Sequence, residues 1–278
     1  MIKRIITAIA MLCVFIPVVV FSNTPVFPIA VAICACFATF EMLRCMGLHK
    51  KIIISLPLCA ASIAFPLLMR YMSDLTNVAA IAFIAAVIFI AVIFAAIVWS
   101  HGQLIFADAM SAFGVVTYII AAFCGILYVR DIPGGAYIFL LIFIGAWITD
   151  VFAYFTGMLL GKHKLIPDVS PKKTIEGSIG GIVFCTLSFV AYGLIVDAAF
   201  GIHINLVFLL VSGIVASIVS QVGDLIMSVI KRHYGIKDYG KIFPGHGGVL
   251  DRFDSVLIVS LCLFAICLGA RFFGLDVI

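Results

Sequence analysis

The most chemically loaded part of the chain is SQVGDLIMSVIKRHYGIKDYGKIFPGHGGVLDRFD, residues 220–254. Gln221, Asp224, Ser228 and Lys231 recur at intervals of three, four and three, which sets them on one face of a helix. Asp224 sits in a long apolar run, where an acid is costly unless it is paired, wetted or bound to an ion. It therefore marks either a functional position or an ion pair holding helices together. Lys231, Arg232, Lys237 and Lys241 are four cations within eleven positions; alone, such a cluster would suit lipid headgroups. Gly245, Gly247 and Gly248 let the backbone approach a ligand or take positive φ. Asp251 and Asp254, three apart, point the same way if a helix begins there, and Arg252 offers a planar fork for phosphate or carboxylate. Carboxylates from separated segments, lysines and a glycine turn describe a site for a hard cation and phosphates, because magnesium is held by one or two carboxylates plus substrate phosphate oxygens. The chemistry of such a site is phosphoryl or nucleotidyl transfer, in which positioning and neutralising oxyanions dominate.

A second polar stretch, residues 150–181, reads DVFAYFTGMLLGKHKLIPDVSPKKTIEGSIGG. Asp150 lies within an apolar run with Tyr154 one turn on, on the same face. Lys162, Lys164, Lys172 and Lys173 form a cationic cluster, and Ser170-Pro171 reads as the opening of a helix whose N-terminal amides attract an anion. Taken alone, the lysines also fit a topology signal. Gly177, Gly180 and Gly181 fit close helix packing as well as they fit ligand contact.

The elements that must position these residues are membrane helices. Of the 278 residues, 65% are hydrophobic and 11% charged, with a mean hydropathy of +1.32. Soluble domains carry about 25% charged residues, so a soluble enzyme, a disordered chain and a free nucleic-acid binder are excluded. Apolar runs between polar breaks predict nine transmembrane helices, at 5–22, 26–44, 52–69, 78–99, 104–129, 135–160, 177–197, 203–230 and 255–275. The runs are continuous rather than alternating, which favours helices over a barrel, and the fold class is all-α and polytopic. The first run is read as a retained helix rather than a cleaved signal, for want of a small-x-small site before Ser22. With the N-terminus inside and the C-terminus outside, fourteen of the 17 basic residues face the cytoplasm, as positive-inside topology requires. Only Arg70, Arg130 and Arg271 fall outside. Both polar loops, 161–176 and 231–254, then face the cytoplasm. The nine cysteines lie almost entirely in apolar runs without a metal-binding spacing, and read as small fillers of helix interiors. The chain reads as a single membrane domain, 1–278: N-terminal helices in 1–149, catalytic helices and loops in 150–254, and a last span in 255–278.

Residues 228–254 resemble the signature of phosphatidate cytidylyltransferases, the CDP-diacylglycerol synthases. That pattern is S-x-aliphatic-K-R, four residues, K-D-x-small, two residues, then L/I/F-P/G-x-H-G-G-aliphatic-x-D-R-x-D. Ser228, Lys231, Arg232, Lys237, Asp238, Gly240, Phe243, Pro244, His246, Gly247, Gly248, Asp251, Arg252 and Asp254 fill every fixed position. The second stretch is similar to the family's D-x-x-A-Y-x-x-G, G-K and S-P-K-K-T-x-E-G-x-x-G-G. Asp150, Ala153, Tyr154, Gly157, Lys162, Ser170, Lys172, Lys173, Thr174, Glu176 and Gly177 match it. The resemblance is close over 150–254 and only compositional over 1–149.

The resemblance implies that CTP and phosphatidate give CDP-diacylglycerol and pyrophosphate at the cytoplasmic face of a bacterial inner membrane, with a homodimer expected from similar proteins. Both reactants are anions, so a divalent cation, Mg2+, with a second ion beside it in some such sites, should neutralise them. Asp224 and Asp251 are the first choices as ligands and Asp254 the next, with Asp150 and Asp238 as further candidates. Lys172, Lys173, Lys231, Arg232, Lys237 and Arg252 are expected to bind the triphosphate or the lipid headgroup. Tyr154, Lys162, Ser170, Thr174, Glu176, Ser228, His246, Gly247 and Gly248 complete the substrate-binding set. A phosphate dianion is already a nucleophile, so His246 reads as a loop-shaping or hydrogen-bonding residue rather than a base, and Ser228 as a ligand contact rather than a nucleophile. Two alternatives are a CTP-dependent polyprenol-type lipid kinase and an anion transporter. Transporters often carry paired half-repeats, whereas here the polar residues crowd one half.

Overall fold

The computed structural model describes residues 2–72, 74–99, 104–167 and 170–278, with side chains described from residue 6 onward. Lys3 and Arg4, which contribute to the charge asymmetry of the sequence, thus lie outside the described side chains. The element order is α1 (Ile2–Val20), α2 (Val26–Cys45), α3 (Ile52–Tyr71), α4 (Leu75–Trp99), α5 (Phe106–Asp131), α6 (Gly135–Ile138), α7 (Leu140–Leu160), β1 (Lys164–Ile166), β2 (Ser170–Thr174), α8 (Ile175–Phe200), α9 (Leu206–His233) and α10 (Leu250–Phe272). Among the described residues, eight helical stretches are long and apolar enough to cross a bilayer, and a shorter apolar one covers Ile6–Val20. A bilayer needs about 20 apolar residues per span, and the nine runs seen in the sequence correspond one to one with these helices. The chain is a polytopic, almost wholly helical integral membrane protein.

Two compact units make up the chain, Met1–Leu127 with Tyr234–Arg252, and Tyr128–His233 with Phe253–Ile278. In the first unit α2 packs on α3 and α3 on α4. Leu43, Ile54, Leu58, Phe89, Ile93 and Val116 belong to its buried apolar cluster, where the rings of Phe89 and Phe113 stack at 5.3 Å. Thr7 Oγ1 donates to the Pro244 carbonyl at 3.0 Å. This contact and those of Glu41 described below gather the start of α1, the end of α2 and the 234–249 loop at one end of the unit.

In the second unit α7, α8 and α9 pack as a trio. Small residues allow the close approach that membrane helices need where no hydrophobic gain drives them together. A Cβ on Gly177 would stand 2.6 Å from the Ala153 carbonyl oxygen, and one on Gly181 would stand 3.2 Å from that of Thr149; Gly180 faces Thr156. These glycines are packing positions. A buried hydroxyl pair, Thr149 Oγ1 to Ser217 Oγ at 2.9 Å, ties α7 to α9. At the other end of the unit the Tyr192 hydroxyl donates to the Tyr137 carbonyl at 2.7 Å. Helix α8 stops at Gly201, whose φ of 67° closes the last turn through its N–H to the Asp197 carbonyl.

The stretch around Ser170-Pro171 corrects one expectation. Instead of opening a helix, it begins β2, which pairs antiparallel with β1. The helix opens at Thr174, where the backbone is extended and the side-chain Oγ1 accepts the Gly177 N–H at 3.1 Å. A threonine cap satisfies an otherwise orphaned helix donor, and this fixes the start of α8 four residues later than the serine.

Candidate active site

In the second unit, the hairpin swings Lys173 over α9. Its Nζ lies 2.6 Å from Asp224 Oδ2, and both side chains are about three-quarters buried. Asp150 of α7 lies within electrostatic reach of Asp224, Asp254 and Lys173, and its Oδ2 accepts from the Ser255 hydroxyl at 3.5 Å. Three carboxylates thus share one region with one buried ammonium. The helix-face expectation holds in part: Gln221 is buried and donates to the Ser178 carbonyl at 3.3 Å, while Asp224, Ser228 and Lys231 are partly open. Gln221 therefore joins α9 to α8 instead of facing a ligand.

Glu176, on the first turn of α8, accepts from the backbone N–H of Lys162 at 3.1 Å and of His163 at 3.2 Å, and pairs with His163 Nδ1 at 2.6 Å. It fastens the entry of the hairpin to the helix that the hairpin feeds. Thr174 and Glu176 are accordingly framework residues that set where Lys172 and Lys173 stand. Tyr154, Lys162 and Lys172 are exposed, and Ser170 is partly so.

In the first unit, the segment from Tyr234 to Val249 is a tight irregular loop. Phe243 N donates to Gly247 O at 2.9 Å and His246 N to Phe243 O at 2.9 Å, with Gly245 at φ 79° and Gly247 at φ 87°. Those two glycines are required by left-handed backbone. Asp251 is 6% exposed. Its Oδ2 accepts from Tyr239 N at 2.8 Å and Gly248 N at 3.0 Å, clamping both ends of the loop. His246 Nδ1 is buried without a hydrogen-bond partner among the described residues. Lys237, Asp238 and Arg252 are exposed, and in the second unit so is Arg232.

Sequence reasoning missed one residue of this region. Glu41, near the end of α2, is 3% exposed, and its carboxylate accepts from Val249 N at 3.1 Å and Leu250 N at 2.8 Å. The available signal was the rule already applied to Asp224, that an acid inside an apolar span demands a reason.

Magnesium prefers hard oxygen donors, and the Asp150, Asp224 and Asp254 set is entirely carboxylate, with one lysine against three negative charges. That donor chemistry fits the ion. As it stands, no group of three His, Cys, Asp or Glu side chains among the described residues is arranged to hold a metal; the ammonium of Lys173 occupies the Asp224 carboxylate.

Bilayer-length helices thus carry an acidic cluster paired with a lysine, and a glycine loop is clamped by carboxylates, groups of the kind that handle phosphates at a membrane. The chain belongs to the cytidylyltransferase family, whose model matches residues 2–269. It is 36% identical over 256 residues to a phosphatidate cytidylyltransferase of Staphylococcus haemolyticus, covering 92% of this chain and 95% of that one. The same figures hold for a protein of that name from Staphylococcus aureus. A third so named, from Staphylococcus epidermidis, is 44% identical over 162 residues, 58% of this chain and 60% of its own. The similarity therefore reaches well into residues 1–149, where motif reading found resemblance in composition only. It takes in the helix that carries Glu41.

Proposed function

We propose that this chain transfers CMP from CTP to phosphatidate, forming CDP-diacylglycerol and pyrophosphate. One phosphate oxygen of the lipid attacks the α-phosphorus of CTP; the new P–O bond forms as the bond to the β-phosphate oxygen breaks, and pyrophosphate leaves with that electron pair. Family membership together with the cluster of Asp150, Asp224, Asp254 and Lys173 is the observation that carries this reading. Asp224 and Asp254, with Asp150 beside them, would hold Mg2+, which when bound supplies positive charge to the phosphates and to the departing pyrophosphate. Lys173 exchanges its carboxylate partner for a substrate phosphate, which leaves Asp224 available as a ligand. Lys172, exposed beside it, adds a second cation. Asp251 acts in the first unit by fixing the loop between Tyr239 and Gly248; its part as a further metal ligand is separated from that task by the substitutions below. In the second unit Lys231 and Arg232, and in the first Lys237 and Arg252, supply cations to phosphate groups. No general base is required, because the attacking phosphate is already anionic.

The side of the membrane is inferred as the cytoplasm of a bacterial inner membrane. The asymmetry of Lys and Arg supports this, as does the gathering of the N-terminal helix, the end of α2 and the signature loop at one end of their unit. CTP is met there, while the acyl chains stay in the bilayer, where each buried methylene is worth about 0.8 kcal/mol.

The test is an incubation of the purified protein with phosphatidate, labelled CTP and Mg2+, read by mass spectrometry. CDP-diacylglycerol and pyrophosphate are expected, with no product in EDTA. CDP accompanied by a phosphorylated lipid would replace the reading with a lipid kinase, and solute uptake into liposomes without nucleotide turnover would replace it with a transporter.

A further inference from the structure

We infer that Glu41 is a positioning residue of the reaction, setting the signature loop and the first turn of α10 from a helix some 200 residues away in sequence. Three observations converge on it. The carboxylate accepts the N–H groups of Val249 and Leu250, two donors at the start of α10 that no turn of that helix satisfies. It lies against Gly240 and Gly248, where a Cβ on either residue would collide with it. And it is within electrostatic reach of Asp251, whose own carboxylate holds Tyr239 N and Gly248 N from the other direction.

Together the two acids grip four backbone N–H groups between residues 239 and 250, so the loop carrying His246 and Gly247 has its ends fixed by side chains rather than by regular structure. This gives a physical reason for two small residues of the signature. Gly240 and Gly248 have no positive φ, so backbone freedom does not require glycine there; the room is needed by Glu41. It also assigns the first amides of α10, an otherwise ready anion site, to a protein carboxylate rather than to a substrate phosphate. Glutamine at position 41 would be isosteric, yet its NH2 would face an N–H, leaving one buried donor unsatisfied.

This inference rests on the cytidylyltransfer reading, and two readouts keep the two apart. Parent and Glu41→Gln proteins are compared by CDP-diacylglycerol formation and by hydrogen exchange. Glu41→Gln is expected to lower kcat about tenfold, as for the loss of one hydrogen bond to a charged group, with KM for phosphatidate within about twofold. Backbone amides in the 239–252 peptide should exchange faster, with α3 and α4 unchanged. A kcat within twofold of the parent, or unaltered exchange in that peptide, overturns the inference; an inactive parent overturns the cytidylyltransfer reading while the exchange result still judges Glu41. Should Glu41→Gln not fold, Gly248→Ala decides, because its methyl group would displace the Glu41 carboxylate: a kcat about tenfold lower with faster exchange in the 239–252 peptide supports the inference, and turnover and exchange like the parent's overturn it.

Discussion

The acidic cluster of the second unit and the signature loop of the first unit both rest on carboxylates, and they neutralise them differently. Around Asp224 the compensating charge is a lysine side chain on a hairpin. Around Asp251 and Glu41 it is main-chain N–H, four donors in all. A side-chain partner can swing to another anion, because its long stem costs little to reorient. A backbone partner cannot leave without unmaking the loop. The second arrangement is therefore suited to hold shape, and the first to exchange partners when a phosphate arrives.

Substitutions can break or sharpen this contrast. Asp224→Asn should reduce turnover by about 100-fold or more, the scale of losing a group aimed at developing charge. Its melting temperature in detergent should fall only modestly, since the Asp150 carboxylate stays within electrostatic reach of the Lys173 ammonium. Unfolding of this variant would erase the distinction. Asp251→Asn should do the reverse in kind, destabilising the fold by about 1–3 kcal/mol because a buried acceptor of two N–H groups is replaced by a poorer one, as read by thermal unfolding. A stable Asp251→Asn protein with lost turnover and weakened Mg2+ dependence would instead make Asp251 a metal ligand first and a clamp second. Thr174→Ala removes the α8 cap and should cost about 1 kcal/mol, measurable by the same melt, with an accompanying loss of activity as Lys173 loses its fixed base. Smallest of all, Lys172→Ala should raise the KM for CTP by about two- to fivefold, the scale of an exposed charge pair; an unchanged KM would leave Lys172 as a topology signal.

Much of the candidate site is legible in the sequence. Asp224, Lys173, Asp251 and the glycine turn stand out because charge and glycine are conspicuous in a chain that is 65% hydrophobic. What the residues do was less legible. Gln221 shares the helical face of Asp224 yet points its amide at α8, because periodicity gives a face and not the neighbour that covers it. Thr174 and Glu176 matched a motif, and their work proved to be capping and fastening. Ser170-Pro171 carries a helix-start pattern that the hairpin overrides, since pairing with β1 satisfies its backbone first.

Length and polarity of each apolar run settled the nine helices and their rough limits, because the bilayer thickness and the intrahelical hydrogen bond are local constraints. Local rules likewise marked the acids that needed a reason for being there. Which partner each acid found was a matter of packing: Glu41 meets Val249 across 208 positions, and Lys173 meets Asp224 from a hairpin. A buried charge takes whatever donor the surrounding helices bring within about 3 Å, and no local pattern of residues contains that information.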